Sequence, residues 1–537
     1  MNVKKKGLGR LGLVLLLALA IVCSLLSGCG KTDNQDGGNA AEYAKGEISY
    51  PIETDEEITF WVWLNPVVAK SSPSFNETVF VQQLIERTGI KIKYIQPAVG
   101  QEEEKFNLLF SSGNIPDIVC HGWRSFPGGA DAAISGEYIM SLNDYIEDYA
   151  PNYYKLLRDN SDMDKIAKSE NNNYYNFGTV GTGVLAFGPL IREDWLETLD
   201  LPVPETIDDW YITLTKFKEA GAPSPLAYGA ADTLYTIFMS AYDAALSGTS
   251  QPPKFIIENG AVKYGPMQPG YKDFVREMNK WYMEGLIDKN IASADGAAVN
   301  AKVLNDQTGA SAGWIVSGLG AWMNAKQDDG AFSVIPTPYP VLTRGSKPKS
   351  MDADIRFADF AAISASSKHK EIAMRFMDYG FSEEGYMFHN FGEEGVTYNM
   401  VDGTPVYSDL IMKNPEGLSI SEALGKYAHG WPGSFVSDVD GYLQQLSYRQ
   451  QKDAVAVWSD TDRSSAMPPV TLSESDGVEY TNIMAEVETY VKEKTLSMIC
   501  GVESLDTLDK MEAQLKAMNI DRAIEIQQAA LEKYNAK

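Results

Sequence analysis

Between Ile58 and Cys120 the apolar pattern changes period four times. Ile58-Thr59-Phe60-Trp61-Val62-Trp63-Leu64 is β-branched and aromatic, which suits a strand. Thr78 to Arg87 then carries Val81, Leu84 and Ile85 at helical spacing, and Gly89 stands where a helix stop is expected. Ile90-Lys91-Ile92-Lys93-Tyr94-Ile95 alternates as a second strand, Phe106 to Phe110 is helical, and Ile115 to Cys120 is a third strand. Strand, helix, strand, helix, strand in so short a span predicts an α/β sheet.

A second set of elements follows. Tyr174 to Phe187 reads as extended and contains Gly178, Gly181 and Gly183. Thr206-x-x-Asp209 has the form of a capping box opening a helix through Phe217. Phe274, Met278 and Trp281 share a helix face before Gly285; Phe332 to Ile335 is a short strand leading into Pro336 to Pro340; Ile372 to Tyr379 is helical. Ser504 to Tyr534 reads as two helices, with Leu508, Met511 and Leu515, then Ile524 and Leu531, on apolar faces. The segment contains no internal repeat.

The N-terminus predicts export. Lys4, Lys5, Lys6 and Arg10 precede an almost wholly apolar Leu11–Leu26, whose sixteen residues fall short of the roughly 20 that span a bilayer. A charged start, short apolar core and small-residue exit form a signal peptide. The exit, Leu26-Ser27-Gly28-Cys29, resembles the bacterial lipobox, which implies lipid on Cys29 and removal of residues 1–28. A Gly7-x-Gly9-x-x-Gly12 pattern is discarded with the signal. Residues 29–52 are polar and rich in Gly, Ala, Asn and Asp, and are expected to form a flexible tether.

Removing the signal leaves 509 of 537 residues and takes the formal net charge from −27 to −31. That length predicts two or more domains, and the charge argues against nucleic acid and anionic lipid surfaces as partners. Of the four cysteines, Cys23 leaves with the signal and Cys29 is lipidated, so no disulfide framework is expected. Cys120, in an apolar run, reads as a small buried residue; a Cys120–Cys500 bridge is the alternative. The four histidines (121, 369, 389 and 429) are scattered without metal-ligand spacing.

Six segments stand out in order along the chain: Phe110-Ser-Ser-Gly-Asn-Ile-Pro-Asp-Ile118, Ile191-Arg-Glu-Asp-Trp-Leu196, Pro204-Glu-Thr-Ile-Asp-Asp-Trp210, Tyr282-Met-Glu-Gly-Leu-Ile-Asp288, Gly392-Glu-Glu-Gly-Val-Thr-Tyr-Asn399 and Asp521-Arg-Ala-Ile-Glu-Ile-Gln-Gln528. In this order they resemble extracellular solute-binding proteins of ABC transporters. The chain is most similar to the long lipoprotein branch of family 1 that binds oligosaccharides, and more distantly similar to maltose-binding protein. The resemblance implies a type II periplasmic-binding fold: two α/β lobes, a hinge of crossing strands, and a ligand cleft between them. The expected crossings are Tyr174–Phe187, Ile335–Pro340 and a turn near Phe381. Lobe 1 is then 53–183 with 337–380, and lobe 2 is 184–336 with 381–537. Glycine-rich extended segments suit a hinge, and clefts form at domain interfaces.

Patterns that mimic catalysis fail on context. Gly309-Ala-Ser311-Ala-Gly313 has the spacing of a nucleophile elbow, yet polar residues precede it and the strand-like Trp314-Ile315-Val316 follows. Gly181-x-Gly183-x-x-Ala186 imitates a dinucleotide loop, but Pro189 blocks the helix that must follow. Asp159 to Glu170 has the length of a calcium loop, with Met163 and Asp164 at positions that need a ligand and a glycine. Glu383-Glu384 and Glu393-Glu394 could serve a glycosidase, although adjacent acids more often lie on a solvated loop. No cofactor or metal is expected, and no enzyme activity.

Sugar rings stack on aromatic platforms. Trp61, Trp195, Trp210, Trp281 and Trp458 sit within regular patterns and are expected in the core. Trp123, Trp314, Trp322 and Trp431 lie beside Gly, Pro or strand ends, where side chains can reach a cleft; resemblance places Asn65, Trp123 and Arg124 (these two after the third strand), Tyr235, Trp314 and Trp322 there, and Tyr398 and Trp431 are added to them. The reading is a monomeric, lipid-anchored protein on the outer face of the cell membrane. It captures a carbohydrate, an oligosaccharide, for the permease subunits of an ABC transporter. A membrane-anchored glycoside hydrolase and a peptide or signal-molecule receptor on the same scaffold are the alternatives.

Overall fold

The computed structural model describes residues 43–537 apart from 99, 230–236, 250–253, 353–355 and 429–432 and the side chains of 356 and 359. Cys29, Tyr235 and Trp431 therefore lie outside the described residues. Residues 45–537 form one compact unit, built around two sheets.

The first sheet has six strands in the spatial order Val436–Ser437, Phe177–Gly181, Arg356–Ile363, Ile118–Cys120, Glu57–Trp61 and Lys91–Ile95. Glu57–Trp61 runs parallel to both neighbours, with Ile58 opposite Ile92 and Phe60 opposite Ile118. Parallel neighbours need crossovers, and the two predicted helices supply them. Thr78 caps the helix Val79–Thr88 by accepting from the Val81 N–H, and Gly89 ends it at φ 73°. A side chain at Gly89 would also collide with the Ile52 carbonyl, 2.1 Å from its Cβ. The alternation over Lys91–Ile95 buries Ile92 and Tyr94 and exposes the lysines.

The second sheet has Phe187–Arg192 at its centre, antiparallel to Ala310–Trp314 on one side and Val334–Pro336 on the other. Its core holds Trp210, Trp281 and Trp458, with Phe238 edge-on between the first two at 5.3 and 5.1 Å. The predicted capping box is present: Thr206 and Asp209 cap each other's backbone at the start of Ile207–Glu219. Phe274, Met278 and Trp281 are fully buried on Pro269–Met283, and Leu508, Met511, Leu515 and Leu531 are buried on the last two helices. Trp61 is likewise in the core, whereas Trp195 is half-buried against it.

Three expectations about organisation need correction. Residues 45–52 are no tether: Lys45 pairs with Asp148 at 2.8 Å, the Tyr50 hydroxyl donates to the Arg375 carbonyl at 2.7 Å, and the Arg375 guanidinium donates to the Gly46 carbonyl at 2.8 Å. The segment is polar because it is held by hydrogen bonds. Residues 383–437 belong with the first sheet, not the second lobe. Phe388 stacks on Phe80 at 4.6 Å, Arg87 pairs with both Glu384 and Glu393, and Val436–Ser437 adds a strand beside Phe177–Gly181. The third crossing is thus near Asp438 rather than Phe381. The second lies after Ser350, because beyond Pro336 the chain stays on the second lobe: Tyr339 is buried there and its hydroxyl donates to the Phe187 carbonyl at 2.5 Å. Cys120 and Cys500 are both free thiols, Cys120 buried.

Candidate functional site

The crossing segments line a cavity of about 940 Å³ between the two sheets. Thr182 to Ala186 leave the first sheet along its floor; Met351 and Asp352 return along it; Ser437, Asp438 and Val439 cross a third time. The first lobe adds Asp162 and Ile166 from the helix Ser161–Ile166, with Phe357 and Ala358 from the sheet. The second lobe adds Gly248 and Thr249, Trp314 to Ser317, Tyr442, Arg463, the run Ala466–Pro469, and Tyr534 near the end of the last helix. The volume is at the upper end of the range for small-molecule sites.

Trp314 is placed by its strand. It is the last residue of Ala310–Trp314, opposite Phe187, and 44% exposed. The chain then enters a wide helical turn, Ile315–Gly320, pinned by the Ile315 N–H to the Ala186 carbonyl at 2.9 Å and by the Gln451 amide to the Ile315 carbonyl at 2.9 Å. That turn presents Val316 and Ser317 to the cavity beside the indole.

The polar groups are held in place. Asp438 caps the helix Val439–Gln444, accepting from the Gly441 N–H at 2.6 Å and from the Tyr386 hydroxyl, while its own N–H donates to Asn390 at 2.9 Å. Burial, then the charge of Asp162, pushes the Tyr534 phenol up to about 12; Asp352 acts in the same sense and Arg124 against it. The ring therefore keeps its hydroxyl proton at neutral pH. The end of its helix is fastened to the first lobe: Lys533 pairs with Glu170, and Lys537 donates to the Lys168 and Ser169 carbonyls at 3.1 and 2.9 Å.

Among the expected ligand residues that are described, Trp314 lines the cavity and the rest lie elsewhere. Trp123 is fully buried: a short helical turn folds the indole under Phe106, and its N–H donates to the Val119 carbonyl at 3.1 Å. Arg124 stands behind the wall, donating to the Ile166 carbonyl at 3.1 Å and so positioning a lining residue. Trp322 is buried with its N–H on Asn300 at 2.7 Å. Asn65 closes a local turn by accepting from the Val67 N–H at 2.8 Å. Tyr398 packs with Phe391 and Tyr407 in a satellite core. The polar lining residues Asp162, Asp352, Asp438, Arg463 and Tyr534 were missed, because nothing in their local patterns connects these distant positions to one cavity.

The catalytic mimics are occupied otherwise. The Ser311 hydroxyl is buried in the second sheet and donates to the Ala227 carbonyl at 2.7 Å. Glu384 and Glu393 are both paired to Arg87, outside the cavity lining. Asp164 of the calcium-loop pattern is engaged by Lys168 at 2.6 Å and Arg158 at 3.1 Å. Among the described residues no group of three His, Cys, Asp or Glu side chains could hold a metal ion. What this arrangement can do is enclose a solute between two bodies joined by three segments.

Comparison with known proteins agrees with that geometry. The chain is 23% identical to lipoprotein LipO of Bacillus subtilis over 90% of this chain and 91% of that one. It is 22% identical to the fructooligosaccharide ABC transporter substrate-binding protein FusA of Streptococcus pneumoniae, covering 96% of each. The crystal structure of the alginate-binding protein AlgQ2 without calcium ion superposes with a TM-score of 0.73 at 24% identity, over 90% of this chain and 100% of that one. The likeness confirms the two-lobed type II fold. The model of the bacterial extracellular solute-binding protein family matches residues 72–387, more than half of the chain, and the protein belongs to that family.

Proposed function

We propose that this protein is held by lipid on Cys29 at the outer face of the cell membrane, captures an oligosaccharide between its lobes as a monomer, and delivers it to an ABC permease. The observation that carries the reading is Trp314, a half-exposed indole at the edge of a cavity that Phe357, Tyr442 and Tyr534 also line among small, aliphatic and polar groups. A flat apolar face with hydroxyls and carboxylates around it suits the C–H face and hydroxyl rim of a sugar. The name of FusA, which pairs a fructooligosaccharide with an ABC transporter, supports the same reading. Binding without turnover is tested with soluble protein beginning at Tyr43, since residues 45–52 belong to the fold. A sugar from an oligosaccharide panel should raise the melting temperature and be recovered intact by mass spectrometry. Shorter products that accumulate with time, and vanish in Glu384→Gln or Glu393→Gln, would establish a glycosidase instead. For the anchor, Cys29→Ser should move the protein from the membrane fraction to the medium; a variant that stays fully membrane-bound overturns it.

A further inference from the structure

The described lining of the cavity carries four charged side chains, the carboxylates Asp162, Asp352 and Asp438 against the single cation Arg463. The acids stand on three separate segments of the lining: Asp162 on a first-lobe helix, Asp352 on the second crossing and Asp438 on the third. The remainder of the molecule adds a field of the same sign, since the net charge is −27 before processing.

An ionised carboxylate only accepts hydrogen bonds. It pairs well with sugar hydroxyls, which donate, and badly with a uronate, whose own carboxyl is ionised at neutral pH and has no proton to give. A polyuronate brings one such charge per ring into a cleft whose described lining offers one cation to receive them, and it must be stripped of water to enter. We propose that the ligand is an oligosaccharide without acidic groups and that the cleft rejects polyuronates. This rests on the saccharide reading above. It separates the chain from AlgQ2, whose name carries a polyuronate, despite the shared fold.

The test is calorimetry on the soluble protein with ligands matched in length: neutral fructo-, gluco-, manno- and xylo-oligosaccharides, oligogalacturonates and oligoalginates. At least one neutral series should bind, with an affinity insensitive to salt between 20 and 300 mM (about a Debye length of 20 Å down to 6 Å). Every uronate should bind at least 100-fold more weakly. A uronate that binds more tightly than all neutral sugars overturns the proposal while leaving the saccharide reading intact. Absence of binding by any sugar, with binding of a peptide mixture instead, overturns the saccharide reading and the proposal together. The cause is tested separately with the double variant Asp162→Lys, Asp352→Lys. Both positions are exposed and should tolerate the change. Uronate affinity should rise at least tenfold, and unchanged rejection would show that these charges are not what excludes acidic sugars.

Discussion

The indole of Trp314 stands edge-on to the Phe187 ring, centroids 5.2 Å apart and planes at 65°, across a cross-strand pair in the second sheet. Phe187 is buried and Trp314 is not. The contact therefore braces an exposed platform without burying it. Such a pair contributes about 0.5–1.5 kcal/mol beyond area burial. Trp314→Ala should weaken sugar binding tenfold or more, equivalent to about 1.4 kcal/mol, and Trp314→Phe should restore part of it. Calorimetry reads the affinity and thermal melting reads the fold. Undiminished affinity in the alanine variant would remove Trp314 from the site.

Closure should be visible in solution. A ligand that touches both lobes only when they are closed shifts the population by its differential affinity for the two states. Small-angle scattering of the soluble protein should report a smaller radius of gyration at saturating sugar than without it. Identical dimensions would mean that binding does not move the lobes.

Gly188 lies against Trp458. A Cβ built there would sit 2.3 Å from the indole, whose N–H donates to the Thr337 carbonyl at 3.0 Å. The ring is fully buried and cannot retreat without breaking that bond. Gly188→Ala should therefore cost about 1–3 kcal/mol, the usual penalty of overpacking, read as a lower urea midpoint. A midpoint equal to that of the parent protein would show that the sheet gives way at this position.

The elements that were legible in the sequence are those whose signal is local. The alternation of Lys91–Ile95, the Thr206–Asp209 box and the helical spacing of Phe274, Met278 and Trp281 each report their own surroundings, and the structure shows each of them. The site is not local. Asp162, Trp314, Asp352 and Arg463 meet because three crossings bring distant segments together. Trp123 follows a strand and a glycine, as a cleft residue would, yet its burial depends on Phe106, which no spacing connects to it. The third crossing was misplaced for a similar reason. Phe381 begins no departure because Phe388 finds Phe80 and Glu384 finds Arg87, contacts made across about 300 residues of chain.

Asp378 should leave a mark on stability against pH. Its carboxylate is fully buried and accepts from the Tyr153 N–H at 2.8 Å and the Asn152 amide at 2.7 Å. Burial raises its pKa to about 6, opposed by those hydrogen bonds and by Arg375. In the unfolded chain an aspartate titrates near 3.9. Between these values the native state holds the proton more tightly than the unfolded state, so this group's contribution to stability is fully present below about pH 4 and is lost as pH rises through about 6. Asp378→Asn keeps an oxygen that can accept from Tyr153 and has no proton to lose. Relative to the parent, the variant should thus gain stability on going from pH 4 to pH 7, by on the order of 1–3 kcal/mol. Other carboxylates titrate in the same range but are common to both proteins and cancel in the difference. Urea denaturation of the two proteins at pH 4, 5, 6 and 7 measures it directly. A difference that stays flat, or that favours the parent as pH rises, would show that Asp378 ionises in the fold as easily as in the unfolded chain.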